Sequence, residues 1–313
     1  MKRKVVKHGP STYIISLPSK WVKEKEIKQG MELEVFEEGN KIIISSEDKV
    51  KPLEIDFDIT SLDRTAVIYA IRGFYRSGYD IINLKFDNPF CMYQRERKQL
   101  KVISVIHSEV NRLIGFEIIQ EREKSCIIKD LQSISEKEFD QILRRVFFLL
   151  LDASKEFIEG AKTNNTFLFE TINEKHDNII RFISYCLRTL NKVGYVEPRK
   201  TSYYYHIVAS FDRIMDIILY ASRELIEYNH KLTKEVIKIL EKINEDIIKY
   251  HELFYSYDKL KMVDINNDRY VVDRLVKDLP NSIKTKEAII AVSMYQILEI
   301  LLDLIEARTA LEY

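Results

Sequence analysis

The chain has 313 residues, 46% of them hydrophobic, with 49 Lys and Arg balanced by 49 Asp and Glu. That length allows two or three domains with their own cores, and the zero net charge excludes a generally basic nucleic-acid coat, so any DNA contact has to come from a local patch. No uncharged apolar run approaches the roughly 18 residues of a bilayer span, and the start Met-Lys-Arg-Lys lacks a signal-peptide apolar segment, so membrane insertion is not expected. Cys91, Cys126 and Cys186 are odd in number and scattered, which fits a reducing cytoplasm and a role in the core rather than in catalysis.

All eight glycines lie at or before Gly194, and only Pro198 and Pro280 interrupt the chain from residue 131 onward. The first third therefore reads as turns and strands and the last half as long helices. The fold class expected is α+β multidomain: a small β-rich head over 1–50, a small α/β unit over 51–131 and an all-α tail over 132–313.

In the head, Val5-Val6-Lys7 and residues 12–17 read as strands around the turn Gly9-Pro10-Ser11. Pro18 cannot continue a strand ladder, and residues 19–23 read as a short helix, closed by Gly30. Met31, Leu33 and Val35 then alternate with acids, and Gly39-Asn40 turns the chain into residues 41–45. Lys2, Arg3, Lys4, Lys7, Lys20 and Lys23 occur with no acid before Glu24, a run suited to neutralising phosphates. The alternative is a solvated basic face on a segment that only dimerises.

The turn Lys7-His8-Gly9-Pro10-Ser11, the run Ile15-Ser16-Leu17-Pro18 with Lys20-Trp21, and Lys28-Gln29-Gly30-Met31 together resemble the AbrB/SpoVT/MazE family of swapped-hairpin domains over residues 3–45. Pro10 departs from the small residue commoner there. In that family two chains interleave their hairpins, because four short strands alone have too little core. The resemblance implies a homodimer and DNA contacts from Arg3, Lys4, Lys7, Ser11 and Lys20.

In the middle unit, strands are expected over 53–59 and 81–86, a helix from Ser61-Leu62-Asp63 to about Arg76, a charged amphipathic helix over 95–113, and a hairpin of 116–120 with 125–128. This alternation predicts a sheet covered by two helices. The cluster Arg95, Arg97, Lys98 and Lys101 suits phosphate or a partner, or is a solvated face.

Six helices are expected in the tail, near 135–161, 167–192, 202–229, 233–257, 265–279 and 284–311, the first capped by Ser135-Glu136-Lys137-Glu138 and the others broken at Asn164-Asn165, Asn229-His230 and Asp258. Short links between long helices favour antiparallel packing, hence two three-helix bundles over 132–230 and 231–313. Asp212 and Asp216 lie four apart and project from one helix face, where like charges repel and a cation between them would turn repulsion into ligation. Glu299 and Asp303 repeat the spacing, which suggests a duplicated unit. Against this stands a solvated acidic stripe, with Arg223 on the Asp212/Asp216 face and Glu306 beside Glu299 and Asp303. The six histidines show no H-x-x-x-H spacing and read as structural or surface residues, with His206 and His251 the two on the long bundle helices.

Phe211-Asp212-Arg213-Ile214-Met215-Asp216, with Asp177-Asn178-Ile179-Ile180-Arg181-Phe182 and Arg188, resembles the PhoU family of phosphate-uptake regulators over about 180 residues. That family has two tandem three-helix bundles with E/D-x-x-x-D in the third helix of each. Ile300 stands where the second copy would carry Arg. The resemblance implies a divalent or trivalent metal (Fe, Zn, Mn or Mg) held by Asp212, Asp216, Glu299 and Asp303, and transport or signalling proteins as partners. A hairpin head, an α/β middle and this tail follow an order similar to archaeal phosphate-uptake regulators. No nucleotide-loop, nucleophile-elbow or H-E-x-x-H motif occurs, so no enzymatic activity is expected. Two functions stay open: a DNA-binding regulator of phosphate uptake, or an accessory protein whose head only dimerises.

Overall fold

The computed structural model describes residues 2–38, 41–45, 52–132, 138–280 and 282–313. These divide into two units, Met1–Pro52 and Leu53–Tyr313. The Gly39-Asn40 turn and the cap residues 135–137 lie outside the described residues.

The first unit is built of two separate hairpins and a short helix. β1 (Val5–His8) pairs antiparallel with β2 (Thr12–Ile15), with Val5 opposite Ile15 and Val6 opposite Ile14. Gly9, at φ +75°, opens the turn in a backbone region that only glycine enters without strain. α1 (Ser19–Glu24) begins after Pro18 and ends well short of Gly30, since Glu26 already takes a left-handed conformation. β3 (Glu34–Glu38) pairs with β4 (Lys41–Ser45) in a sheet of its own. Apolar side chains dominate these strands, yet Val5, Val6, Tyr13, Ile14, Ile15, Val35, Ile42 and Ile43 are all exposed, and no described side chain of this unit is buried.

The second unit has two cores. In the first, β5 (Glu54–Asp58) runs parallel to β6 (Ile81–Lys85) through α2 (Arg64–Arg76), whose N-cap Asp63 accepts from the Ala66 N–H at 2.8 Å. β6 pairs antiparallel with β10 (Ser125–Asp130), and β10 with β9 (Phe116–Arg122). Val67, Ile71 and Tyr75 of α2 and Val105, Ile106 and Val110 of α3 (Val102–Val110) bury the sheet's apolar face. The helix expected over 95–113 is shorter than that. Its first turns are a hairpin of β7 (Phe90–Tyr93) and β8 (Lys98–Lys101), closed with Arg97 at φ +50°. Residues 94–99 carry no apolar side chain that a helix could bury, whereas Leu100 opposite Cys91 adds to the core beneath.

The second core belongs to six helices: α4 (Phe139–Thr163), α5 (Thr166–Lys192), α6 (Thr201–Tyr228), α7 (Lys234–Tyr255), α8 (Lys259–Lys277) and α9 (Thr285–Glu312). Asn164 and Asn229 end α4 and α6 in the left-handed region, and Asn165 and Asp258 cap α5 and α8. The Asp258 cap starts α8 six residues before the expected 265. Two antiparallel three-helix groups, α4–α6 and α7–α9, pack α4 on α7 and α6 on α9 and share one continuous core. Gly160 lets α5 approach α4, because a Cβ there would lie 2.8 Å from the Phe169 ring. Among the described residues one helix, α9, is long and apolar enough to cross a membrane, and here Ile297, Leu301 and Leu304 bury its apolar face in the bundle.

Arg188 of α5 joins the helices to the sheet layer. Its buried guanidinium donates to the Tyr75 and Tyr79 carbonyls at 2.8 and 2.7 Å and to Asp130 at 2.6 Å, between the Tyr75 and Phe116 rings.

Candidate functional site

The residues expected to meet DNA all lie at the surface of the head. Arg3 and Lys4 precede β1, Lys7 sits in β1 opposite Tyr13, Ser11 closes the β1–β2 turn, and Lys20 opens α1. Lys20 faces Glu24 at 3.7 Å, an exposed pair of little energetic weight, so its charge stays available to a phosphate.

Asp212 and Asp216 line a cavity of about 740 Å³ between α2, the β7–β8 hairpin, α5 and α6. Both are partly covered, Asp212 more than Asp216. Arg76 of α2 meets Asp212 at 2.8 Å, with both side chains about four-fifths covered. His176 of α5 lies 3.2 Å from Asp216 and 3.4 Å from Asp177, so His176, not Arg223, is the partner of Asp216. Arg223 instead donates to Asn173 at 3.0 Å. Further round the wall, Arg112 reaches Asp177 at 2.6 Å, and Arg72 binds the fully buried Glu109 through both its prongs, at 2.8 and 3.1 Å.

Burial alone would push the His176 imidazole down, but its bonds to Asp177 and Asp216 outweigh this and hold its pKa above the ordinary value. Burial likewise opposes ionisation of Asp177, yet His176 and Arg112 bring its carboxyl below the usual range. His176, on α5, corrects the expectation that His206 and His251 are the two histidines on the long bundle helices, and among the described residues of those helices it is the histidine that meets carboxylates. Its signal in the sequence was weak, because the matching acid lies 40 residues away on another helix.

The second acid pair is placed differently. Glu299 accepts from Arg269 at 2.7 Å and from the Tyr295 hydroxyl at 2.8 Å, and Asp303 is exposed.

Residues 6–52 match the family model of MazE, a bacterial antitoxin, described as antidote-toxin recognition. The match covers the two hairpins and α1, and it is consistent with dimerisation or DNA binding by this unit. No curated protein and no solved structure matches the chain.

A cation held by the four acids would need several converging oxygen or nitrogen ligands. Among the described residues no group of three or more His, Cys, Asp or Glu is placed to hold one. Arg76, His176 and Arg269 already compensate Asp212, Asp216 and Glu299, so as placed the carboxylates do not fit a metal unless those cations are displaced. The three cysteines are buried, and burial pushes the Cys126 thiol up to about 12, far from a reactive range.

Proposed function

We propose that the chain is a dimeric, cytoplasmic DNA-binding regulator of phosphate uptake, in which the head grips the duplex and the helical tail receives a signal or a transport or signalling partner. The observation that carries this reading is the head itself: six cations with no acid before Glu24, in a unit where none of the described apolar side chains is buried within one chain. A second copy supplies that core, and pairing doubles the cationic surface along a duplex. The MazE match over residues 6–52 supports the same reading. Phosphate uptake rests on the PhoU-like arrangement alone, two tandem three-helix groups with an acid pair on the third helix of each. No catalytic role is proposed.

A mobility-shift titration of the full chain against DNA upstream of phosphate-transport genes tests the reading. Affinity should fall steeply with salt, and neutralising Arg3, Lys4, Lys7 or Lys20 should each flatten the log K against log salt slope by about one unit per protomer, hence about two for the dimer. A chain that dimerises but shifts no duplex even at low salt would replace the regulator with an accessory protein joined through its head.

A further inference from the structure

The cavity beside Asp212 carries more positive charge than its own acids neutralise. Six arginines line it against three carboxylates, those of Asp177, Asp212 and Asp216. Arg72, Arg76 and Arg112 are each paired with a carboxylate. Arg64, Arg95 and Arg223 have no carboxylate partner among the described residues: Arg64 stacks on the Tyr93 ring at 4.5 Å, and Arg223 is held by Asn173 and lies over the Tyr220 ring at 5.9 Å. They come from three elements, α2, the β7–β8 turn and α6, so the fold gathers them around one concavity. Burial, and then the charge of Arg95, lower the pKa of Arg223 and outweigh the opposing effect of Asp177, so two like charges are held close here.

We propose that this cavity binds a nucleoside di- or polyphosphate, with Arg64, Arg95 and Arg223 taking the phosphates and the tyrosine rings taking the base. A planar guanidinium fork fits phosphate oxygens two at a time, and three unpaired forks call for an anion of more than one charge. A volume of about 740 Å³ is that of a site for a nucleotide-sized molecule rather than a free inorganic ion. Tyr69 and Tyr220 line the same cavity and are both more than half exposed, so they offer aromatic surface on which a heterocyclic base stacks. Asp212 and Asp216, tied to Arg76 and His176, keep the inner wall closed to further anion and so leave the outer arginines as the docking face. This site is independent of DNA binding by the head, and it stands or falls on its own titration.

Calorimetric titration of the full chain with ADP, pyrophosphate, adenosine, citrate and a short oligothymidylate decides the matter. ADP should bind, pyrophosphate more weakly for want of a base, and adenosine and citrate at least about tenfold more weakly than ADP. Arg95→Ala and Arg223→Ala should each weaken ADP about tenfold or more, the loss expected for one charged hydrogen-bonding group. Arg95→Ala breaks no ion pair and should keep the wild-type melting temperature without ligand, whereas Arg223→Ala also loses the Asn173 hydrogen bond, so its ADP affinity is read at a temperature where it is fully folded. No heat with ADP or pyrophosphate, unchanged ADP affinity in both variants, citrate binding as tightly as ADP, or oligothymidylate binding in preference to ADP would each overturn the proposal.

Discussion

Removing two apolar side chains from the β1–β2 hairpin should cost the dimer and leave the rest of the chain intact. Val6 and Ile14 are cross-strand partners, and they remain 59% and 45% exposed in the single chain. Full burial of such a side chain is worth about 1.5–3 kcal/mol, so covering the exposed half of each contributes about 1 kcal/mol. Two residues from each of two copies then give about 4 kcal/mol per dimer, close to a thousandfold in dissociation constant. Incomplete transfer from water brings this nearer to a hundredfold. Val6→Ser with Ile14→Ser keeps the strand register and the cationic residues, so only the apolar contribution changes. Sedimentation velocity over a micromolar concentration series measures the constant, with a 53–313 chain reporting any association through the helices. An unchanged dissociation constant, or a wild-type protein that is monomeric while its head amides resist exchange, would refute the reasoning.

Other outcomes follow from the second unit. Arg188→Ala should lower stability by about 3 kcal/mol, because the Tyr75 and Tyr79 carbonyls lose their buried donor and Asp130 keeps only Lys192, at 3.7 Å, and thermal unfolding measures it. Burial pushes the Asp246 carboxyl, beside Lys249 and Asp268, up to about 7 from an ordinary 3.8. The folded chain therefore holds a proton that the unfolded chain releases, and this group's contribution falls as pH climbs from about 4 to 7. Asp246→Asn should be stabilising by about 1–3 kcal/mol at pH 8 and neutral near pH 4, as read from urea titrations at both values. Replacing Asp212 and Asp216 by Asn should leave melting curves equally indifferent to chelator, Mg²⁺, Mn²⁺, Zn²⁺ and anaerobic Fe²⁺. A metal-dependent rise seen in the wild type and lost in the variant would instead assign these acids to a cation.

Long helices announce themselves because burial repeats every three to four residues over many turns and Asn164, Asn165 and Asp258 carry their own capping chemistry. The β7–β8 hairpin leaves no such trace: its turn is polar throughout, and polarity alone suits helix and turn equally. The cavity is harder still to read. Arg76 and Asp212 are distant in sequence, and nothing in either segment says that α2 packs on α5 and so brings Arg76 to α6. Arg188 reads as a surface cation by type, and only the carbonyls of Tyr75 and Tyr79 explain why it lies inside. The acid pairs were visible from spacing; the cations that meet them were not, since those arrive from other elements.

A head without its own core and a body with two cores complete their folding by different rate laws. The 53–313 body has cores of its own, so its folding requires no second chain. On the proposed dimer, the head needs an encounter between two chains, so at low abundance a cell would hold finished bodies with open heads. Paired heads then scale with the square of chain number, and halving gene dosage would cut them roughly fourfold while they are scarce. Expression level itself thereby becomes an input to the head, alongside whatever the body binds.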